Sequence, residues 1–109
     1  MKYKIIVTPS ASTDILAADR YISVTLGNET AADRLLDELQ KRMEQLSHTP
    51  YINPLVGDNI LAANGVRFQI VKNYMAFYTV NEDNKTVFVI AFLHSRQDWI
   101  NYLRKNGYK

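Results

Sequence analysis

The residues best suited to chemistry are a cation, an amide and two phenols that the predicted strand register places on one face. Arg67, Gln69, Tyr74 and Tyr78 belong to two neighbouring strands and share that face. Together they could bind an anion and hold or move a proton. The same face carries apolar residues, so the part of it that no helix covers is a candidate ligand or partner surface.

Composition excludes several classes of protein and of site. The chain has 109 residues, of which 47% are hydrophobic and 22% charged, which predicts one globular domain over 1–109. It has no cysteine, which excludes a disulfide scaffold and a thiol nucleophile, and two histidines make a structural metal site unexpected. The longest apolar run, Val87 to Leu93, is far too short for a membrane helix, and no signal peptide precedes it. We expect a cytoplasmic protein with no cofactor, no metal and no membrane partner.

Charge is unevenly distributed along the chain. The formal net charge is +2, with −1 on residues 1–55 and +3 on residues 56–109. An anionic partner is therefore expected to meet the second half.

Two helices are predicted between a first strand and a Pro-containing connector. Residues 3–7 are β-branched and aromatic, which favours a strand. Thr8-Pro9 has the chemistry of a helix start, and Gly27 stops the apolar repeat that follows. Asn28 can cap a second helix that ends before Pro50. The short link between them predicts an antiparallel helical hairpin.

Three strands, 66–71, 74–81 and 86–93, are expected to form an antiparallel meander. Lys72-Asn73 makes a two-residue loop in which Asn73 tolerates positive φ. The loops imply pairs such as Phe68 with Phe77, Phe77 with Ile90, and Met75 with Phe92. That register places all four phenylalanines on the face covered by the hairpin: Phe68, Phe77, Phe88 and Phe92. A last helix over 97–106 is expected to cover part of the opposite face, which also includes Ala91 and Leu93. The predicted fold class is α+β.

The order of these elements resembles the RelE/ParE superfamily of bacterial toxins. The resemblance covers nearly the whole chain and is carried by an ordered set of segments: Tyr3 to Ala11, Ala31 to Leu46 with Pro50, Gly65-Val66-Arg67, Asn73-Tyr74, Phe77-Tyr78, and Leu93 to Trp99. It implies the toxin of a type II toxin–antitoxin pair, held inactive by a cognate antitoxin.

RelE-like members cut mRNA in the ribosomal decoding site, whereas ParE-like members poison DNA gyrase. Metal-free RNA cleavage needs a base for the 2′-OH proton, cations for the developing charge and an acid for the leaving oxygen. For a nuclease, the resemblance implies a catalytic set of Arg67, His94, Arg96, Tyr78 and Tyr102. The expected RNA- or partner-binding residues are Gln69, Tyr74, Arg104 and Lys105. A ribosome-dependent nuclease is favoured by a narrow margin.

Two departures from the nuclease pattern keep other interpretations open. Gln69 and Met75 are uncharged at positions where a basic residue is expected. A gyrase poison, or a decayed toxin that still binds its antitoxin, therefore remains an alternative. Structural roles are open as well: Arg67 could lie over Tyr78 as a cation–π pair, and Arg96 could pair with Asp98.

Overall fold

The computed structural model describes residues 2–106, which form one four-stranded sheet with helices on both faces. The elements run β1 Lys4–Val7, α1 Pro9–Arg20, a π-helical turn Tyr21–Thr25, α2 Glu29–His48, α3 Asn59–Ala63, β2 Arg67–Val71, β3 Tyr74–Asn81, β4 Thr86–His94 and α4 Trp99–Asn106. The strand order is β1-β4-β3-β2. β1 is parallel to β4, and the other neighbours are antiparallel. The predicted α+β class is confirmed.

The helical hairpin begins and turns where the sequence predicts. The Thr8 hydroxyl accepts from the Ala11 N–H at 3.2 Å, and Pro9 occupies the first turn of α1. The Asn28 side chain accepts from the Ala31 N–H at 3.0 Å and caps α2. Gly27 has φ +63°, a left-handed conformation that glycine adopts at little cost. Between the two helices, the π-helical turn was not predicted.

The register between β2 and β3 matches the prediction, but the register between β3 and β4 shifts halfway along. Phe68 pairs with Phe77, as expected. Tyr78 pairs with Val89 while Phe77 pairs with Ala91, so Ile90 is an extra residue on β4. Such a bulge moves every later residue of the strand to the other face. The predicted partners of Phe77 and of Met75 are therefore wrong by one residue.

The bulge divides the four phenylalanines between the two faces of the sheet. Phe92 packs with Tyr74 and Ala76 beneath Leu35 and Leu39 of the hairpin. The other three phenylalanines lie in a cluster on the opposite face, as do Ala91 and Leu93: Phe68, Phe77 and Phe88. The hairpin thus covers the face of Tyr74 and Tyr78, and the expectation that it covers all four phenylalanines is wrong.

The phenylalanine face is covered by α3 and α4 instead. α3 lies inside the connector and begins at Asp58, whose carboxylate accepts from the Leu61 N–H at 3.0 Å. The indole of Trp99 in α4 lies 5.3 Å from the Phe77 ring, between centroids. α4 therefore covers the face opposite to the one predicted. Over residues 2–106, no helix is both long and apolar enough to cross a membrane.

The tight turn between β2 and β3 also differs in one detail. Lys72, rather than Asn73, has the positive φ, at 56°. The turn still joins the strands in the predicted register, because two residues complete it in either case.

Candidate functional site

Three of the predicted site residues hold the connector, the segment between α2 and β2, against the sheet: Arg67, Gln69 and Tyr78. The guanidinium of Arg67 donates to the Asn53 carbonyl at 2.6 Å and lies 5.1 Å from the centroid of the Tyr51 ring. The Gln69 side-chain oxygen accepts from the Asn53 amide at 2.8 Å. The cation–π partner of Arg67 is therefore Tyr51 rather than Tyr78, the partner that the sequence offered as a structural alternative. Residues 50–53 belong to no helix or strand, so these contacts supply hydrogen bonds that their polar groups would otherwise lack.

Tyr78 belongs to the same group and is completely buried. Its hydroxyl donates to the Pro50 carbonyl at 2.9 Å and accepts from the Asn53 amide at 3.3 Å. Burial is the main reason why the pKa of this phenol is raised. The side chain is 0% exposed, and both contacts of its hydroxyl are to residues of the connector, which it holds against β3.

A second group of predicted residues lines a cleft of about 500 Å³ where α1, β4 and α4 meet. His94, Arg96, Tyr102 and Tyr74 all contribute to its walls. Arg67 and Tyr78 do not. Arg67 stands four positions along β2 from Val71, the partner of Tyr74, so about 13 Å of strand separates the two groups. The predicted catalytic set is therefore divided.

The cleft exists because β1 is shorter than the strand it pairs with. The last β1 pair is Val7 with Val89, and the Thr8 N–H then bonds the Val89 carbonyl at 3.0 Å. Beyond that point β4 has no neighbouring strand on this side. The Phe92 N–H, which has no strand partner there, donates instead to the Asp14 carboxylate of α1, at 3.1 Å.

Asp14 also fixes Tyr102. The phenol of Tyr102 donates to the second Asp14 oxygen at 2.7 Å, which links α4 to α1 across the edge of β4. Burial raises the pKa of Asp14, although both hydrogen bonds oppose the shift. Burial, and then the Asp14 carboxylate, raises the pKa of Tyr102 to about 12. Tyr102 is therefore a neutral phenol at physiological pH.

The turn after β4 fixes the histidine ring. The Nδ1 atom of His94 accepts from the Arg96 backbone N–H at 3.1 Å, while the His94 N–H donates to the Gln97 side chain at 2.7 Å. Since Nδ1 is an acceptor, the neutral ring carries its proton on Nε2. The Arg96 side chain is exposed, and its guanidinium forms no hydrogen bond or ion pair with another residue within 2–106. The cleft thus offers a fixed N–H donor beside an uncommitted cation.

Aromatic rings complete the wall of the cleft. Tyr74 stacks on Phe92 with 5.0 Å between centroids and meets the His94 ring edge-on at 5.2 Å. Burial is the main cause of a raised pKa for Tyr74, and Tyr21 adds to it. Tyr21 lies at the start of the π-helical turn and lines the same cleft.

The two remaining predicted residues lie elsewhere. Arg104 binds the Asp58 carboxylate through two nitrogens, the shorter contact being 2.5 Å, and so ties α4 to α3. Lys105 is exposed on α4. Within 2–106, no three acidic or histidine side chains group together as a metal site would require.

Three cleft residues were missed from the sequence: Asp14, Tyr21 and Gln97. Asp14 had a detectable signal, since it falls between Ala11 and Ala18 on the face of α1 that the apolar repeat predicts to be buried. A carboxylate at such a position needs a partner. Neither Tyr21 nor Gln97 had a comparable signal.

Comparison with known proteins places this fold in a family. Residues 5–99 match the family described as the ParE toxin of the type II toxin–antitoxin system, parDE. This match spans most of the chain, and the protein belongs to that family. The predicted RelE/ParE membership is thereby confirmed. No sequence among the curated proteins matches the chain.

Solved structures show the same fold at low sequence identity. A chain of the chromosomal ParDE system from P. aeruginosa has a TM-score of 0.67 at 15% identity, covering 85% of this chain and 96% of the other. A mutant of the E. coli toxin RelE in the free state gives 0.60 at 18% identity, covering 94% and 93%. The RelBE2 toxin–antitoxin complex from Mycobacterium tuberculosis gives 0.59 at 15% identity, covering 86% and 99%.

Proposed function

We propose that this toxin inhibits growth by cleaving mRNA in the cleft at the end of β4, as a ribosome-dependent endoribonuclease. The observation that carries the proposal is the shared location of a fixed N–H donor, an uncommitted cation and a phenol–carboxylate pair. They supply a proton acceptor for the 2′-OH and groups that stabilise the developing charge, while water supplies the proton for the leaving oxygen. Arg67 and Tyr78 are not required for it.

The phenol–carboxylate pair is the proton acceptor of the proposed reaction. The 2′-OH of the substrate gives its proton to the Tyr102 oxygen while the Tyr102 proton moves to Asp14, across the 2.7 Å hydrogen bond. Tyr102 stays neutral throughout, in keeping with its raised pKa. Asp14 can take the proton because burial also raises its pKa.

The other side of the cleft stabilises the phosphate. The 2′ oxygen attacks phosphorus, and the bond from phosphorus to the 5′ oxygen breaks, leaving a 2′,3′-cyclic phosphate. Arg96 neutralises charge that develops on the phosphate oxygens, and the His94 Nε2–H donates a hydrogen bond to one of them; both residues line the cleft. The 5′ oxygen takes a proton from water, and the proton held by Asp14 returns to solvent.

Induced expression with separate readouts for RNA and DNA tests this proposal. We expect mRNA to be cut, as mapped by primer extension, with no induction of a DNA-damage reporter. Arg96→Gln should reduce cleavage about 100-fold, the usual loss when a transition-state charge partner is removed. Asp14→Asn should reduce it by a similar factor, since general-base contributions are typically 10²-fold or more. Arg34→Gln, an exposed change on α2, is the matched control.

Gyrase poisoning is the second candidate, favoured by the ParE family match and by the position of Arg67 outside the cleft. Intact mRNA together with DNA damage would establish it and overturn the nuclease proposal. If expression without the antitoxin has no effect on growth, the chain is an antitoxin-binding module only.

We also infer a cognate antitoxin as partner. The family consists of toxins of a type II toxin–antitoxin system, and the similar structures include toxin–antitoxin complexes. Co-expression of the short reading frame next to this one should restore growth and yield a stable complex. Continued toxicity with both proteins present would contradict this partner.

A further inference from the structure

A second cavity, of about 250 Å³, opens on the other side of the aromatic wall of the cleft. Tyr21, Tyr74 and His94 line both spaces. The cleft that holds Arg96 and this cavity are therefore neighbours that share these three aromatic residues as a wall. A ligand with two chemically different parts could occupy both.

The walls of the second cavity are mainly apolar. Ile22 from the π-helical turn and Leu26 directly after it, with Ala31 and Leu35 from α2, form one side. Lys72 and Asn73, in the turn between β2 and β3, stand at its edge. The cavity thus has rings and aliphatic groups inside, with a cation and an amide at its rim.

The π-helical turn gives Tyr21 its exposed position. The Tyr21 carbonyl accepts from the Leu26 N–H at 2.9 Å, a bond that closes the wide turn. Such turns are rare and are frequent at functional sites. The Tyr21 side chain is 50% exposed, although it is a large aromatic group next to two cavities. The exposed ring of Tyr21 lines both cavities, so a flat group in either one could stack on it.

We propose that this cavity receives the nucleobase next to the scissile phosphate of a single-stranded RNA, with Tyr21 as the stacking residue that selects for an unpaired base. The inference rests on the proposed function, because it places the phosphate at Arg96 in the neighbouring cleft. A flat, apolar base fits between aromatic rings and aliphatic walls, and its edge can meet the Asn73 amide. Lys72 lies at the far rim, where the next phosphate of the strand would pass. Cations on both sides of an apolar slot favour a nucleotide over an apolar protein side chain.

Binding of an RNA that cannot react tests the subsite apart from the reaction. The probe is a 2′-O-methyl RNA hexamer, which keeps the bases and phosphates but lacks the nucleophile; binding to the purified toxin is followed by NMR titration. Tyr21→Ala should weaken binding about tenfold, since stacking on one aromatic side chain contributes roughly that factor. Tyr21→Phe should bind as the wild type does, because the ring is retained. Tyr51→Ala is the matched control, since Tyr51 is 49% exposed at the opposite end of β2.

Equal binding by Tyr21→Ala and wild type, or no binding by the wild type at millimolar RNA, would overturn the subsite. Weaker antitoxin binding by Tyr21→Ala with unchanged RNA binding would also overturn it and assign the cavity to a protein side chain. None of these results would affect mRNA cleavage in cells, which tests the proposed function separately. Thermal unfolding of each variant shows that a loss of binding is not a loss of fold.

Discussion

Replacing Tyr78 by Phe removes a single oxygen atom from the most enclosed polar contact near the sheet. That oxygen donates to the Pro50 carbonyl, and Pro50 is itself buried. Without the hydroxyl the carbonyl keeps its desolvation cost and loses its donor, which costs about 1–3 kcal/mol. Asn53 still donates to Gln69, so its amide adds no further penalty.

The size of the effect can be read from thermal unfolding. For a chain of 109 residues, 1 kcal/mol corresponds to about 4 °C in Tm, so Tyr78→Phe should lower Tm by about 4–12 °C. Tyr74→Phe is the matched control on the same strand, because the Tyr74 hydroxyl has no hydrogen-bond partner within 2–106. Its Tm should change little. An unchanged Tm for Tyr78→Phe combined with lost mRNA cleavage would refute the structural role and return this phenol to the catalytic set.

Three further substitutions test the packing and the two contacts that hold α4. Phe77→Ala should cost about 3–5 kcal/mol, because the ring is fully buried, whereas Ile70→Ala, at a side chain that is 58% exposed, should cost little; denaturant unfolding measures both. Tyr102→Phe should lose less Tm than the wild type between pH 10 and about 12. In the wild type the pKa of the Tyr102 phenol is raised in the folded state, and the stabilisation that this gives disappears as the pH rises through that range. Asp58→Asn should lose less Tm than the wild type as the pH falls below about 3.8. In the wild type the hydrogen bond from Arg104 is the main cause of a lowered folded-state pKa of Asp58, and the stabilisation is lost when the carboxylate is protonated.

Each of these has a result that contradicts it. Equal losses for the Phe77 and Ile70 variants would mean that the phenylalanine face is not the packed one. Parallel alkaline curves for wild type and Tyr102→Phe would mean that burial and the Asp14 carboxylate do not raise the pKa of Tyr102 in solution. Arg104→Gln should reproduce part of the acid behaviour of Asp58→Asn, because the Leu61 N–H still donates to Asp58; an acid loss of Tm equal to that of the wild type would mean that Arg104 is not the main cause.

Local chemistry made much of the fold predictable. Thr8 and Asn28 predict where the two helices begin, because each side chain can accept a hydrogen bond from a backbone N–H three residues later. The two-residue turn at Lys72 fixes the register of β2 against β3. These features depend on residues close together in the chain, so a single sequence contains them.

The register of β4 was not predictable in the same way. Residues 87–93 are all apolar, so a shift by one residue exposes nothing polar and costs little that the sequence reveals. Only three-dimensional packing distinguishes Val89 from Ile90 at the bulge. Because both faces of the sheet are apolar, the sequence also could not say which one the hairpin covers.

The candidate site, like the fold, was predictable only where its residues lie close together in the chain. His94, Arg96 and Tyr102 come together partly because they follow one another at the end of β4 and in α4. Asp14 joins them from α1, 78 residues before Phe92, and no local pattern indicates that approach. The contacts that commit Arg67 and Tyr78 depend on the path of residues 50–53, which no periodicity predicts.

The early end of β1 gives this protein a route to inactivation that spares every proposed functional side chain. If a few residues inserted after Val7 continued the parallel ladder along β4, new backbone would take the Phe92 N–H and displace Asp14. Backbone atoms would fill the cleft, and α4 would lose the hydrogen bond from Tyr102 to Asp14 that links it to α1. Loss of toxicity through a small insertion is therefore as accessible to this chain as loss through a point mutation, and a natural variant with a longer first strand should be harmless although its arginine and histidine are intact.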